Sequence, residues 1–178
     1  MNFFKKRPIA IILCVVAVLC STLLNTRFKL GADCAELEEL FYRSGGIASQ
    51  LEILHENANA LAAVSDSNGI DASALRSASD NLQGLLSQRG IGAGLIYTAY
   101  DKLRTELSAT RQKLLSAELS QQDSVTANNC LDALDSAKSA LSQSEYNELV
   151  RSFRADNGSF FTRFWASLAF VNMPEEFA

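Results

Sequence analysis

The chain has 178 residues, 48% of them hydrophobic, with 16 Lys and Arg against 20 Asp and Glu and a single His. That length fits one domain with a small appendage. Charge divides sharply: residues 1–30 hold five Lys and Arg and no acid, which leaves eleven bases against twenty acids, a net −9, beyond them. So acidic a body repels phosphate backbones and argues against a nucleic-acid partner.

Residues 8–26, PIAIILCVVAVLCSTLLNT, carry no charge over 19 positions. As a helix they span roughly 28 Å, close to the ~30 Å of a bilayer core. Lys5, Lys6 and Arg7 precede the run, and Arg27 and Lys29 follow it. The larger cationic cluster predicts an inside N-terminus, residues 1–7, and an outside C-terminal domain. A cleaved leader fits less well. Cys20 and Thr22 make a poor small-x-small pair, and Leu19 before Cys20 spoils a lipoprotein site. The reading is a retained single-pass anchor over 8–26, a linker over 27–32, a helical bundle over 33–158 and an aromatic tail over 159–178.

Within the bundle, Leu37, Leu40, Ser44, Ile47, Leu51, Leu54, Ala58 and Leu61 alternate steps of three and four. This is a coiled-coil-like seam, and it predicts one helix over 33–65. Gly45-Gly46 falls on its outer side and predicts a bend at roughly 1 kcal/mol per glycine. Glu36, Glu38 and Glu39 then lie near an N-terminus, as partners of the helix dipole. SDSNGID, 65–71, is a turn. A second helix uses Leu75, Ala78, Leu82 and Leu85 and ends at RGIGAG, 89–94. A third uses Ile96, Leu103, Leu107, Leu114 and Ala117. After SQQDS, 120–124, where Asp123 or Ser124 can cap, a fourth uses Leu131, Leu134, Ala137, Leu141, Leu149 and Phe153 and stops at Asn157-Gly158. The expected fold is all-α: a transmembrane helix followed by an antiparallel four-helix bundle. RGIGAG is read as a hairpin connection; a kink would make one helix of roughly 70 Å that overshoots its partners. The same layout separates Cys34 from Cys130 by more than the ~7 Å that a disulfide spans.

Chemical motifs are weak. RGIGAG follows no strand, so it lacks the context of a phosphate-binding loop. Glu52 and His55 have Glu-x-x-His spacing, but His55 is the sole histidine, so a second half-motif is missing. That same scarcity leaves the many serines without a base, and His55 is read as a solvated side chain. No catalytic residue, cofactor or metal site is predicted.

Eight of the 15 aromatic residues lie from Tyr146 onward. Phe160, Phe161, Phe164, Trp165 and Leu168 recur at helical spacing and form one apolar stripe. It would plug the base of the bundle, lie at the membrane interface, where aromatic rings concentrate, or do both.

The C-terminal stretch resembles the end of the LemA family of bacterial membrane proteins. The matching positions are Tyr146-Asn147, Val150-Arg151, Phe153, Ser159-Phe160, Ala166, Leu168 and Phe177, with ANNCLDAL at 127–134 similar to the opening of that family's long helix. Departures are Phe153-Arg154 in place of a second Tyr-Asn pair, and Phe161 in place of a proline. The resemblance implies a single-pass anchor carrying an antiparallel bundle, with no established enzymatic role. The functional expectation is a structural or interaction module of the bacterial envelope, in contact with the bilayer and with another envelope protein or a second copy. The alternative is a sensor or adaptor ectodomain that works through a separate signalling partner.

Overall fold

The computed structural model describes residues 7–178, with side chains from Ala10 onward; the expected inside segment before Arg7 lies outside the described residues. These residues form seven α-helices and no strand. In chain order they are α1 (Arg7–Tyr42), α2 (Ile47–Ser67), α3 (Ser73–Leu86), α4 (Ala93–Leu115), α5 (Gln121–Ser142), α6 (Tyr146–Asn157) and α7 (Phe160–Leu168).

The first helix differs from expectation at both ends of the bundle's entry. Residues 27–32, expected as a linker, are helical and continuous with the apolar run, so α1 extends for 36 residues, roughly 54 Å. Gly31 is the weakest helix former there, nothing crowds it, and one glycine costs only about 1 kcal/mol against the helix on either side. The lower part of α1 is long and apolar enough to cross a membrane, and none of that stretch is buried by the rest of the chain. The upper part is built into the fold through Leu30, Leu37 and Phe41, all buried.

The expected helix over 33–65 is two helices. Gly45 adopts φ +78°, a left-handed conformation that ends α1. A Cβ on Gly46 would sit 2.5 Å from the Leu40 carbonyl oxygen and 2.8 Å from that of Phe41. Glycine at both positions lets the chain turn back tightly, where a bend was expected. Glu36, Glu38 and Glu39 consequently fall in the last turns of α1, not the first, so the expected pairing with a helix N-terminus does not exist. All three are exposed to solvent.

α2 is the hub, packing on α5 most extensively, then on α3, with α4 and α1 beside it. Leu51, Leu54, Ala58 and Leu61 of its predicted seam are buried. Its C-terminus is closed by a double-bonded glycine cap: Gly69, at φ +72°, donates to Asp66 O at 3.0 Å and Ile70 N donates to Ser65 O at 2.9 Å. Asp71 Oδ1 then accepts from Ser73 N at 2.9 Å to open α3. α3 packs directly on α4 across RGIGAG, which is a connection between two helices.

At the start of α5 the capping residue is Ser120, not Asp123 or Ser124. Its hydroxyl accepts from Asp123 N at 3.1 Å and donates to Asp123 Oδ2 at 2.9 Å. Asn68, at the end of α2, donates to the same carboxylate at 3.2 Å. The expected fourth helix is also interrupted: α5 ends at Ser142, and Ser144 Oγ accepts from Tyr146 N at 3.3 Å to begin α6.

Two apolar clusters result. The larger fills the space between α2, α3, α4 and α5 and takes in Phe41, Tyr146, Val150 and Phe177. The smaller joins Leu30 and Leu37 of α1 to Phe153 of α6 and Ala166 of α7. The four cysteines are free thiols; Cys34 packs beside the smaller cluster and Cys130 within the larger.

Candidate functional site

The last ten residues are not helical. They run from Ala169 to Ala178 as a strap that returns along α6 to the base of the larger core. Extended backbone leaves its N–H and C=O groups without local partners, and buried ones must be satisfied by other elements. α6 provides most of those partners from one face. Arg154 Nε donates to Pro174 O at 2.9 Å, and Tyr146 Oη donates to Glu175 O at 3.0 Å. Asn147 Nδ2 donates to Phe177 O at 2.8 Å while its Oδ1 accepts from Phe177 N at 2.8 Å. Arg151 Nε donates to the Glu176 carboxylate at 2.8 Å. Val150, between these groups, is fully buried and holds the helix against the core.

Thus four of the positions that carried the sequence resemblance, Tyr146, Asn147, Val150 and Arg151, meet at one feature: each side chain either grips the strap or seats the helix that grips it. Burial pushes the Tyr146 phenol up to about 12, with the Arg154 charge opposing.

The strap's own side chains reach further. Phe177 is 6% exposed and enters an aromatic box, its ring centroid 5.2 Å from Tyr97, 5.6 Å from Tyr100 and 6.1 Å from Phe41. The Glu175 carboxylate lies at the start of α4 and accepts from Gly94 N at 3.3 Å. A Cβ on Gly92 would run into that carboxylate. The glycines of RGIGAG thus admit an anion to a helix N-terminus, as phosphate loops do, but the anion is this chain's own glutamate.

The predicted aromatic stripe does not plug the core. Phe160 is 78% and Phe161 72% exposed, Phe164 and Leu168 are exposed, and Trp165 is half-buried. The tail does fold back onto the bundle, but through Ala166, Ala169 and Phe177. Ser159 caps α7, accepting from Thr162 N at 3.2 Å, which holds the stripe in a regular helix. α7 ends in the same doubly bonded turn as α2: Phe170 N donates to Ser167 O at 3.2 Å and Val171 N to Ala166 O at 2.9 Å. The left-handed position of that turn, usually glycine, is Phe170 at φ +56°, 89% exposed.

A cavity of about 660 Å³ lies between α1, the glycine connection and the strap, with Arg27, Cys34, Glu38 and Tyr42 in its wall. The Tyr42 hydroxyl finds no partner among the described residues, and the Arg89 guanidinium lies 5.6 Å over its ring. Burial, and secondarily the Asp33 charge, push the Cys34 thiol up to about 11.

His55, expected to be solvated, is half-buried and makes side-chain contacts as well. Its Nδ1 lies 2.8 Å from Ser79 Oγ and 3.2 Å from Ser79 O, and Asn59 Nδ2 lies 3.3 Å from Nε2. A Ser–His pair at this distance has the spacing of an activated nucleophile. Ser79, however, is 0% exposed, so no substrate reaches its oxygen, and the pair joins α2 to α3. Among the described residues no group of three or more His, Cys, Asp or Glu could hold a metal ion.

No known family model, curated protein or solved structure matches this chain.

Proposed function

We propose that the chain is a LemA-like, membrane-anchored helical module of a bacterial envelope, with its N-terminus inside and its bundle outside. It works by holding or meeting another envelope protein or a second copy, without catalysis. The observation that carries this reading is the continuity of α1, whose bare apolar half and core-forming half are one helix. An anchor joined through an unbroken helix transmits position and tilt to the bundle, which suits a structural or docking element.

The bundle is read as antiparallel and four-membered, α2 to α5. Two contacts support this. The end of α2 meets the start of α5 through Asn68 and Asp123, and the residues flanking the start of α2 share a hollow with Gln143 and Ser144 at the end of α5. The non-catalytic reading is supported by the burial of Ser79, the hydroxyl beside the single histidine.

Protease added to intact spheroplasts should remove the bundle, and full protection would overturn the orientation. Crosslinking in the membrane should capture a partner or a dimer; recovery of monomer alone under every condition would count against the interaction role.

A further inference from the structure

We propose that α7 and Phe170 form a foot that lies on the bilayer surface beside the anchor, its phenylalanines inserted at the headgroup level. This rests on the anchoring reading above.

Three observations lead to a lipid surface as the occupant of this face. The first is position. Ala166, on the inner side of α7, packs against Leu30 and Leu37 of α1. Those residues lie roughly 6 and 16 Å along the helix from Thr26, the end of the uncharged run. The headgroup zone extends about 5–8 Å beyond the hydrocarbon on each side, so the lower edge of α7 sits at its outer boundary, within reach of a phenylalanine side chain.

The second is charge. Between Asn157 and Met173 there is no acid and one base, Arg163, in a body that is otherwise strongly acidic. Arg27 and Lys29 lie on α1 just above the uncharged run. This acid-free stretch therefore meets less repulsion from anionic headgroups than the acidic remainder of the bundle would.

The third is that the aromatics are held out. Phe160 and Phe164 stack with centroids 6.5 Å apart on the open side of α7. Phe170 is kept in a left-handed conformation that bulky residues avoid, with its ring in the open. The turn that ends α7 imposes this conformation and leaves the ring directed away from the bundle. α7 thus turns Phe160, Phe161 and Phe164 away from the bundle while Ala166 seats it on α1 and Arg163 lies on its flank, an arrangement suited to an interfacial helix.

Trp165 is the only tryptophan and reports its own surroundings. The full chain would be reconstituted into phosphatidylcholine vesicles containing a minority of phosphatidylglycerol, and flotation would establish anchoring independently. Lipids brominated just below the glycerol level should then quench Trp165 emission by roughly half, those brominated near the chain ends much less. Replacing Phe160, Phe161 and Phe164 together by Ser, with helical content checked by circular dichroism, should abolish the shallow quenching while flotation persists. A chain that floats but whose Trp165 is unquenched, whether open to iodide or shielded from it by a second copy, overturns the foot and leaves the anchor standing. A chain that fails to float overturns both.

Discussion

The carboxamide of Asn147 closes on the backbone of Phe177 from both sides, with donor and acceptor each at 2.8 Å. This pairing reproduces what a neighbouring strand would give an extended segment, and it fixes the strap's register to a single residue. Asn147→Ala removes both bonds and leaves the Phe177 N–H and C=O without partners. The expected cost is about 1–3 kcal/mol, read as a lower urea midpoint, together with faster carboxypeptidase trimming of the last residues. Unchanged trimming would show that the strap is held without this pair, by its apolar contacts and by the bonds from Tyr146, Arg151 and Arg154.

Phe177 and Phe160 are the same residue type on the same tail, and the structure separates them. Phe177→Ala empties the box made by Phe41, Tyr97 and Tyr100 and should destabilise the bundle by about 3–5 kcal/mol. Phe160→Ala removes an exposed ring and should leave stability within about 0.5 kcal/mol. Thermal unfolding of the two variants side by side checks this, and equal losses would place the stripe in a core.

That contrast marks the boundary of what the sequence discloses. Heptad-like spacing identified the buried face of α2 through Leu51, Leu54, Ala58 and Leu61, because a helix's inner side follows from periodicity alone. The same logic found Leu75, Leu82, Ile96, Leu103, Leu134 and Leu141, all buried. Periodicity could not reveal that Phe177 and Glu175 complete α4 and the core from 80 residues away, since no local pattern encodes a long-range partner. A signal was nonetheless present in Pro174-Glu175-Glu176-Phe177. A non-helical end that carries one large aromatic needs a groove, and Gly92 and Gly94 at a helix start are free to receive a carboxylate. Gly45-Gly46 ends a helix where the periodicity on either side predicts only a bend. Two consecutive glycines lose roughly 2 kcal/mol of helix propensity, enough to turn the expected bend into a break.

Phe170→Gly should act in opposite directions on stability and on surface contact. The left-handed conformation costs a bulky residue about 1–2 kcal/mol that glycine does not pay. With the side chain 89% exposed, little packing is lost in exchange. The variant is expected to unfold about 1 kcal/mol later in urea, while shallow-bromine quenching of Trp165 weakens. A destabilised variant would mean that the ring packs where the structure leaves it open.

The pH response above neutrality follows from two weak acids, buried Tyr146 and half-buried Cys34. Tyr146 ionises near 10 in an unfolded chain and is pushed to about 12 in the fold, chiefly by burial. The folded state therefore holds its proton more tightly. The stabilisation is fully present below pH 10 and is lost as pH rises from about 10 to 12. Strap release, followed by carboxypeptidase trimming after a brief alkaline pulse, should appear in that window and not below it. In Tyr146→Phe the titration is gone, along with the bond to Glu175 O, so the strap should be looser at neutral pH yet lose less between pH 10 and 12. Cys34, raised from 9.0 to about 11 by burial and by Asp33, should carry about 100-fold less thiolate at pH 8 than an unperturbed thiol. Its alkylation by iodoacetamide, followed by mass spectrometry, should climb roughly tenfold per pH unit until about pH 11. Rapid labelling at pH 8 would show that the wall of the cavity beside α1 is open to water at Cys34.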